Sequence, residues 1–298
     1  VTAPLVIDCD PGIDDAIAIL LALAAPEEIA LAGISTVAGN KPLAKTTANA
    51  LRLLELAGRT EIPVHAGLAR PLMGEARPES DYHGRDGMGD TGLPAPGTAP
   101  SPVHGADFIV DTVMAAEPGT VTLCAIGPLS NVALAMTREP RLAGRIRALH
   151  IMGGEVFPAE GAPAEFNFGT DPAAAHIVLE SGAPITVFGL DVTRQANIAA
   201  PLAEALRQTD TPVAAAAAAM LDVTAAGGRF VHDACTVAAL LEPGIFSGRE
   251  GQVHVEWRDP ACEGVCRFEK AGTGHRVVTG LDPDRLLHLI AGRIAKLA

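Results

Sequence analysis

Six short apolar runs recur along the first two-thirds of the chain, at Leu5–Asp10, Ile29–Val37, Pro63–Ala66, Val121–Ile126, Ile146–Met152 and Ile185–Leu190. Each has the length of a strand, and most are separated by segments whose apolar residues fall at helical spacing: Asp14–Leu23, Leu43–Leu56, Gly105–Ala115, Leu129–Met136 and Pro172–Glu180. Strands that alternate with helices pair in parallel, and right-handed crossovers put the helices on both faces of the sheet. After Leu190 the pattern changes to helices near Pro201–Gln208, Pro212–Ala226 and Asp233–Leu241. Shorter strands follow at Gln252–Trp257, Val265–Lys270 and His275–Thr279, with a last helix over Pro283–Leu297. The alanine run Ala214–Ala219 is plain helix propensity. The expectation is an α/β chain with a mostly parallel central sheet, helices on both faces and a smaller C-terminal helical and antiparallel extension. No repeat, charge block or Ser/Gly linker marks a domain boundary.

With 298 residues, 48% of them hydrophobic, the chain can bury a large core. A formal charge of −13 disfavours attraction to phosphate backbones or anionic lipid, so nucleic acid and membrane partners are not expected. Leu5–Asp10 already reads as a core strand, no signal peptide is visible, and no apolar run has membrane-spanning length. Five scattered cysteines (Cys9, Cys124, Cys235, Cys262, Cys266) fit reduced thiols and a cytoplasmic location. Cys262 and Cys266 are close, but no second pair or His-x-x-x-His accompanies them, and they read as structural.

Chemistry first shows at Asp8-Cys9-Asp10-Pro11-Gly12-Ile13-Asp14-Asp15, four carboxylates in eight residues at a strand-to-helix turn. Asp14 and Asp15 are suited to capping the helix and complementing its dipole. Asp8 and Asp10 have no such explanation. A parallel strand that ends in Asp projects carboxylates into the crevice where α/β proteins bind ligands, and gathered oxygens favour a hard cation.

Other polar groups follow other strand ends: Ala38-Gly39-Asn40, Gly127-Pro128, Gly153-Gly154 and Asp191. The glycines there serve either close approach of a ligand or simple turns, and for Gly153-Gly154 the two readings weigh equally. Glu165-Phe166-Asn167 and His232-Asp233 each precede a helical pattern; taken alone, a His-Asp pair is more often a helix cap than a catalytic unit. The stretch from Arg70 to His104, rich in Gly and Pro, is too long for an ordinary connection and reads as a lid, a binding loop or disorder. Its Gly87-Met88-Gly89-Asp90-Thr91-Gly92 matches Gly-x-Gly-x-x-Gly formally, but no strand precedes it and no helix opens from it, so it is not a dinucleotide site.

Together these segments resemble the inosine-uridine type nucleoside hydrolases over nearly the whole chain. The resemblance rests on the aspartate motif with Thr36-Val37-Ala38-Gly39-Asn40, Ile126-Gly127-Pro128-Leu129-Ser130-Asn131, Ile151-Met152-Gly153-Gly154, Ala164-Glu165-Phe166-Asn167, Gly189-Leu190-Asp191-Val192-Thr193 and His232-Asp233, in that order. It looks most like the ribonucleoside hydrolases of broad base preference. The resemblance implies one Rossmann-like nucleoside hydrolase domain over residues 1–298, a role in purine or pyrimidine salvage, and assembly as a homodimer or homotetramer.

It also implies a Ca²⁺ held by Asp10, Asp15, Asp233 and the backbone carbonyl of Ile126, which acidifies a water whose proton Asp10 accepts. Asp14 and Asn40 would hold the 2′ side of ribose, and Asn167 and Glu165 its 3′ and 5′ hydroxyls, so deoxyribose should react poorly. His232 would protonate the departing base. His83 matches a family position near ribose and base; as an isolated loop histidine it would simply be solvent-exposed. Met152 would line the pocket.

The chain also departs from the family. Where the family carries an Asn-x-Thr-Pro element whose asparagine reaches the 5′ hydroxyl, this chain has Ala159-Glu160-Gly161-Ala162-Pro163, with Glu160 as a possible substitute from a shifted loop. The family often offers tyrosines before the histidine to help a pyrimidine leave; Leu221 to Val231 offers only Phe230 as an aromatic, so base preference stays open. Two other readings compete: a calcium-dependent nucleoside or ribose binder without turnover, and a haloacid-dehalogenase-type phosphatase using Asp8-x-Asp10. The phosphatase leaves Asp14, Asp15, Glu165, Asn167, His232 and Asp233 without roles.

Overall fold

Alternate residues of the first strand enter opposite cores. In β1 (Ala3–Cys9), Leu5, Ile7 and Cys9 pack on one face of the sheet and Val6 on the other. This is the two-sided burial expected of a parallel strand covered by helices. The computed structural model describes residues 2–76, 82–223, 230–270 and 274–297.

The remaining strands are β2 (Ile29–Thr36), β3 (Val64–Ala66), β4 (Thr122–Ala125), β5 (Ala148–Met152), β6 (Ile185–Phe188), β7 (Phe246–Val255), β8 (Cys266–Glu269) and β9 (His275–Leu281). They form one sheet in the order β3-β2-β1-β4-β5-β6-β9-β7-β8. Pairing is parallel from β3 through β9, and β7 runs antiparallel to both β9 and β8. The mostly parallel sheet and the antiparallel C-terminal extension therefore match the sequence expectation.

Helices cover both faces. On one side α3 (Gly105–Ala115), α4 (Ser130–Arg138) and α6 (Pro172–Leu179) share a core with Val6, Leu123, Ile151 and Val187. On the other, α1 (Ile13–Leu23), α2 (Leu43–Leu56), α8 (Ala199–Arg207), α9 (Pro212–Val223), α10 (Ala234–Leu241) and α11 (Pro283–Ile294) pack with Leu5, Ile7, Ile34 and Phe188. Two short helices, α5 (Phe166–Thr170) and α7 (Leu190–Thr193), add to the elements expected from the sequence. The last residues of the helix expected over Pro212–Ala226 lie outside the described residues.

Two boundaries differ from expectation for identifiable reasons. The strand expected over Ile185–Leu190 stops at Phe188, because Leu190 turns its N–H to the Gly154 carbonyl (2.8 Å) and opens α7. β7 starts at Phe246 rather than Gln252: its first half pairs with β9 and its second with β8, and the exposed polar residues Ser247–Glu250 carry no apolar signal.

The long connection is strapped onto α2. Asn49 Nδ2 donates to the carbonyls of Pro11 (3.1 Å) and Asp86 (2.9 Å), Arg52 Nε to that of Pro94 (3.0 Å), and Glu55 accepts the N–H groups of Gly97 and Thr98. Met88 is buried in the core beneath it. The formal dinucleotide match is a run of turns with positive φ at Gly87, Gly89 and Gly92 and opens no helix.

The order β3-β2-β1-β4 reverses direction at β1, so the crevice beyond the carboxyl ends of β1 and β4 is the ligand-binding position of such a sheet. Asp10 and Ile126 are the residues that leave those two strand ends.

Candidate active site

β1 ends at Cys9 and α1 begins at Ile13, so the aspartate motif wraps the turn between them. Asp15 closes this turn: its Oδ2 accepts the Gly12 N–H (2.9 Å) and its Oδ1 the Asp10 N–H (3.2 Å). Asp10 Oδ2 accepts the Asn40 N–H at 2.6 Å, while Asp10 Oδ1 is buried without a hydrogen-bond partner among the described residues. Asn40 also reaches the Asp10 carbonyl (3.2 Å) and Asp15 Oδ2 (3.3 Å) with its side-chain amide. Gly39 and Gly127 stand on either side of the Asp10 carboxylate, where a Cβ would come within 2.1 Å of Oδ2 and 2.6 Å of Oδ1. Glycine at those two strand ends is therefore a steric requirement of Asp10.

Asp8 belongs to a deeper layer. Its Oδ1 accepts the Ser35 hydroxyl (2.5 Å) and the Asn131 amide (2.8 Å), which ties β1 to β2 and to α4, and burial pushes its carboxyl up to about 7. It lines no part of the cavity described below.

The carboxylates of Asp14, Asp15 and Asp233 each place an oxygen within 4.8 Å of the others. Asp233 precedes α10, from the far part of the chain. Burial pushes Asp15 up to about 7 and holds Asp10 and Asp233 well above the carboxylate range; nearby aspartates push the same way. Such a cluster needs positive charge to ionise fully. The all-oxygen group of Asp14, Asp15 and Asp233, with Asp14 Oδ1 buried and without a hydrogen-bond partner among the described residues, fits a divalent cation; Asp10 stands outside that group. The resemblance placed Asp14 on ribose alone, whereas its carboxylate sits with the acidic group.

Above this cluster opens a cavity of about 330 Å³ lined by Asp14, Asn40, His83, Ile126, Met152, Glu165, Asn167, His232 and Asp233, together with Tyr82, Phe166 and Leu190. Of the expected site residues, only Asp10 and Asp15 do not line it; both are fully buried. Glu165 caps α5: its Oε1 accepts the Asn167 N–H (2.8 Å) and its Oε2 those of Gly154 (2.8 Å) and Phe168 (3.0 Å). Asn167 spends its amide N–H groups on the carbonyls of Ile126 (2.9 Å) and Met152 (3.1 Å), joining the ends of β4 and β5.

Two histidines face the same space. His83 is buried, not exposed as an isolated loop residue would be; its Nδ1 accepts the Ile13 N–H (3.2 Å) and its Nε2 lies 3.8 Å from Asp14 Oδ1. His232 Nδ1 lies 2.8 Å from Thr193 Oγ1. Burial lowers the pKa of both rings, and the Asp14 charge opposes that shift.

The structure also decides several readings that the sequence left open or gave as structural. Gly153 and Gly154 make room for the Phe168 ring, which a Cβ at 153 would approach to 2.4 Å, so packing rather than ligand approach accounts for them. Asp191 takes the N–H groups of Val156 (2.7 Å) and Phe157 (3.0 Å) and anchors that loop. Glu160 is exposed and lies off the cavity wall, so it does not replace the missing asparagine. Cys262 and Cys266 are free thiols, the latter buried against Gly154. Tyr82 and Leu190 were not singled out for the cavity wall, though each adjoins a residue that was; Thr193 has no chemistry of its own to flag it.

The inosine-uridine preferring nucleoside hydrolase family profile matches residues 5–288. An uncharacterized protein of Schizosaccharomyces pombe is 42% identical over 312 residues, covering 98% of this chain and 99% of its own. A pyrimidine-specific ribonucleoside hydrolase RihA of a Shewanella species is 38% identical, covering 98% of this chain and 96% of its own. Among solved structures, a plant nucleoside hydrolase superposes with a TM-score of 0.91 at 30% identity over 99% of this chain and 100% of its own. A purine-preferring ribonucleoside hydrolase from Gardnerella vaginalis superposes with a TM-score of 0.91 at 29% identity, covering 99% of this chain and 98% of its own. The strand-end aspartates, the cavity above them and a match that runs almost from end to end agree: the chain belongs to the inosine-uridine preferring nucleoside hydrolase family.

Proposed function

We propose that the chain hydrolyses the N-glycosidic bond of ribonucleosides to free base and ribose, with Asp10 as the general base and His232 as the acid. The observation that carries this reading is Asp10 Oδ1, buried after the end of β1 with no hydrogen-bond partner among the described residues, and in the field of the Asp14 and Asp15 charges. The acidic group of Asp14, Asp15 and Asp233 supports a divalent cation here, and the family resemblance assigns it as Ca²⁺ on Asp10, Asp15, Asp233 and the Ile126 carbonyl, which when bound would acidify a water and engage ribose hydroxyls.

This chain's residues do the rest. Asn40 fixes one Asp10 oxygen, leaving Oδ1 to accept the water proton as oxygen bonds to the anomeric carbon. Asp14, Asn40, Glu165 and Asn167 line the cavity where the sugar would sit, and their negative charge and dipoles favour a cationic sugar in the transition state. Met152 packs under it, with His83 on the loop side. His232 gives its proton to the base nitrogen as the bond to the anomeric carbon breaks. The apolar wall of Tyr82, Phe166 and Leu190 suits stacking on either kind of base without a fixed hydrogen-bond pattern, which supports a broad preference. A single sheet that takes strands from both ends of the chain supports one hydrolase domain over 1–298.

The test is ribose release from inosine, adenosine, guanosine, uridine and cytidine, before and after chelation and again after Ca²⁺ is restored. Release that is lost on chelation and returns with Ca²⁺ is the expected result. No release from any of the five by the calcium-loaded protein, with nucleoside binding retained, would favour a binding protein instead.

A further inference from the structure

Thr193 is the last residue of α7 and is fully buried. Its hydroxyl oxygen lies 2.8 Å from His232 Nδ1. A second tether joins the same two segments, since the Val231 N–H donates to the Ala196 carbonyl (3.1 Å) and the Ala196 N–H to the Thr193 carbonyl (3.0 Å). The one-turn helix is itself fixed at its start, where the Leu190 N–H bonds the Gly154 carbonyl and the Asp191 carboxylate takes two N–H groups of the loop after β5. The histidine ring is thus held by a rigid turn through one nitrogen. Nε2, on the opposite side of the ring, is left for a ligand in the cavity that His232 lines.

We propose that Thr193 is the positioning residue for His232: its Oγ1 accepts the Nδ1 proton and holds the ring with Nε2–H turned toward the departing base. The inference rests on the reading of His232 as the acid. As the bond from the anomeric carbon to the base breaks, its electron pair passes to the base nitrogen and the Nε2 proton transfers there. The ring is left neutral with its remaining proton on Nδ1, the tautomer that the Thr193 oxygen accepts from, and solvent returns the lost proton. A threonine present only to fill space would be replaced by valine, its near isostere, without effect on proton delivery.

The experiment compares Thr193→Val, Thr193→Ser and His232→Ala with the parent calcium-loaded enzyme on a natural ribonucleoside and on p-nitrophenyl riboside, whose leaving group needs no proton. Thr193→Val is expected to lower kcat for the natural substrate by about ten- to hundredfold, part of the loss a missing acid causes, with KM little changed. Turnover of p-nitrophenyl riboside should stay near the parent rate, and Thr193→Ser should restore the natural reaction. Unchanged kcat in Thr193→Val, equal losses on both substrates, or no rescue by serine would overturn the proposal while His232→Ala still discriminated between the substrates. Equal losses in His232→Ala would instead remove the acid assignment itself, and the proposal with it.

Discussion

The main-chain N–H of Asn40 donates to Asp10 Oδ2 at 2.6 Å, and the second oxygen of that carboxylate is buried with no hydrogen-bond partner among the described residues. One oxygen is fixed by the turn after β2 and the other is left for chemistry. Asp10→Ala is therefore expected to reduce ribose release by about 10²-fold or more, as loss of a general base does, with the far-UV circular dichroism unchanged. Turnover close to the parent rate would take the base assignment away from Asp10.

Gly39→Ala should harm both stability and activity. The new methyl would lie 2.1 Å from Asp10 Oδ2, with the Pro128 ring 2.9 Å away, so the carboxylate must move. Overpacking of this kind costs about 1–3 kcal/mol, measurable by denaturant unfolding. Gly292→Ala in α11 has the opposite sign: among the described residues no tertiary neighbour lies within 4 Å of the new methyl, and alanine in a helix interior should stabilise by about 0.5–1 kcal/mol.

The metal-free protein should lose stability as pH rises from about 4 to 7, because its folded state keeps protons that the unfolded chain has already released. Asp15, pushed up to about 7, and Asp10 and Asp233, held higher than usual, are the groups responsible. A bound cation expels those protons, so removing it should lower the melting temperature more at about pH 8 than at about pH 5. Thermal melts with chelator and with Ca²⁺ at both pH values check this; an equal gap at both would argue against a cation at this cluster.

2′-Deoxyinosine should be a poor substrate. Asp14 and Asn40 line the cavity, and losing a hydrogen bond from a sugar hydroxyl to a charged group costs about 1.5–3 kcal/mol, or roughly ten- to hundredfold. Deoxyinosine cleaved as fast as inosine would detach Asp14 from the 2′ side.

The sheet was legible because its central strands are buried on both faces and carry mostly apolar runs, as Val121–Ile126 does. The short helices were not. Four residues at Leu190–Thr193 are too few to show a period, and the apolar Leu190 extended the apparent strand into them. β7 hid its first half behind exposed polar residues. At the site, the strand-end aspartates and His232-Asp233 were visible by type and position. The meeting of Asp14 and Asp15 with Asp233 is a tertiary distance, and the bond from Thr193 to His232 joins segments that sequence spacing does not relate. The burial of His83 was not legible, because the partner of its ring, the Ile13 N–H, is a main-chain group common to every sequence.

That contact changes how the cost of recognition is distributed. A loop rich in Gly and Pro would normally lose its conformational freedom only when a substrate gathers it in, and affinity would fall accordingly. Here the His83 ring is already fastened to the first turn of α1 and Asn49 holds the neighbouring backbone at Asp86, so this wall of the cavity gives up its entropy when the chain folds and not when the nucleoside arrives.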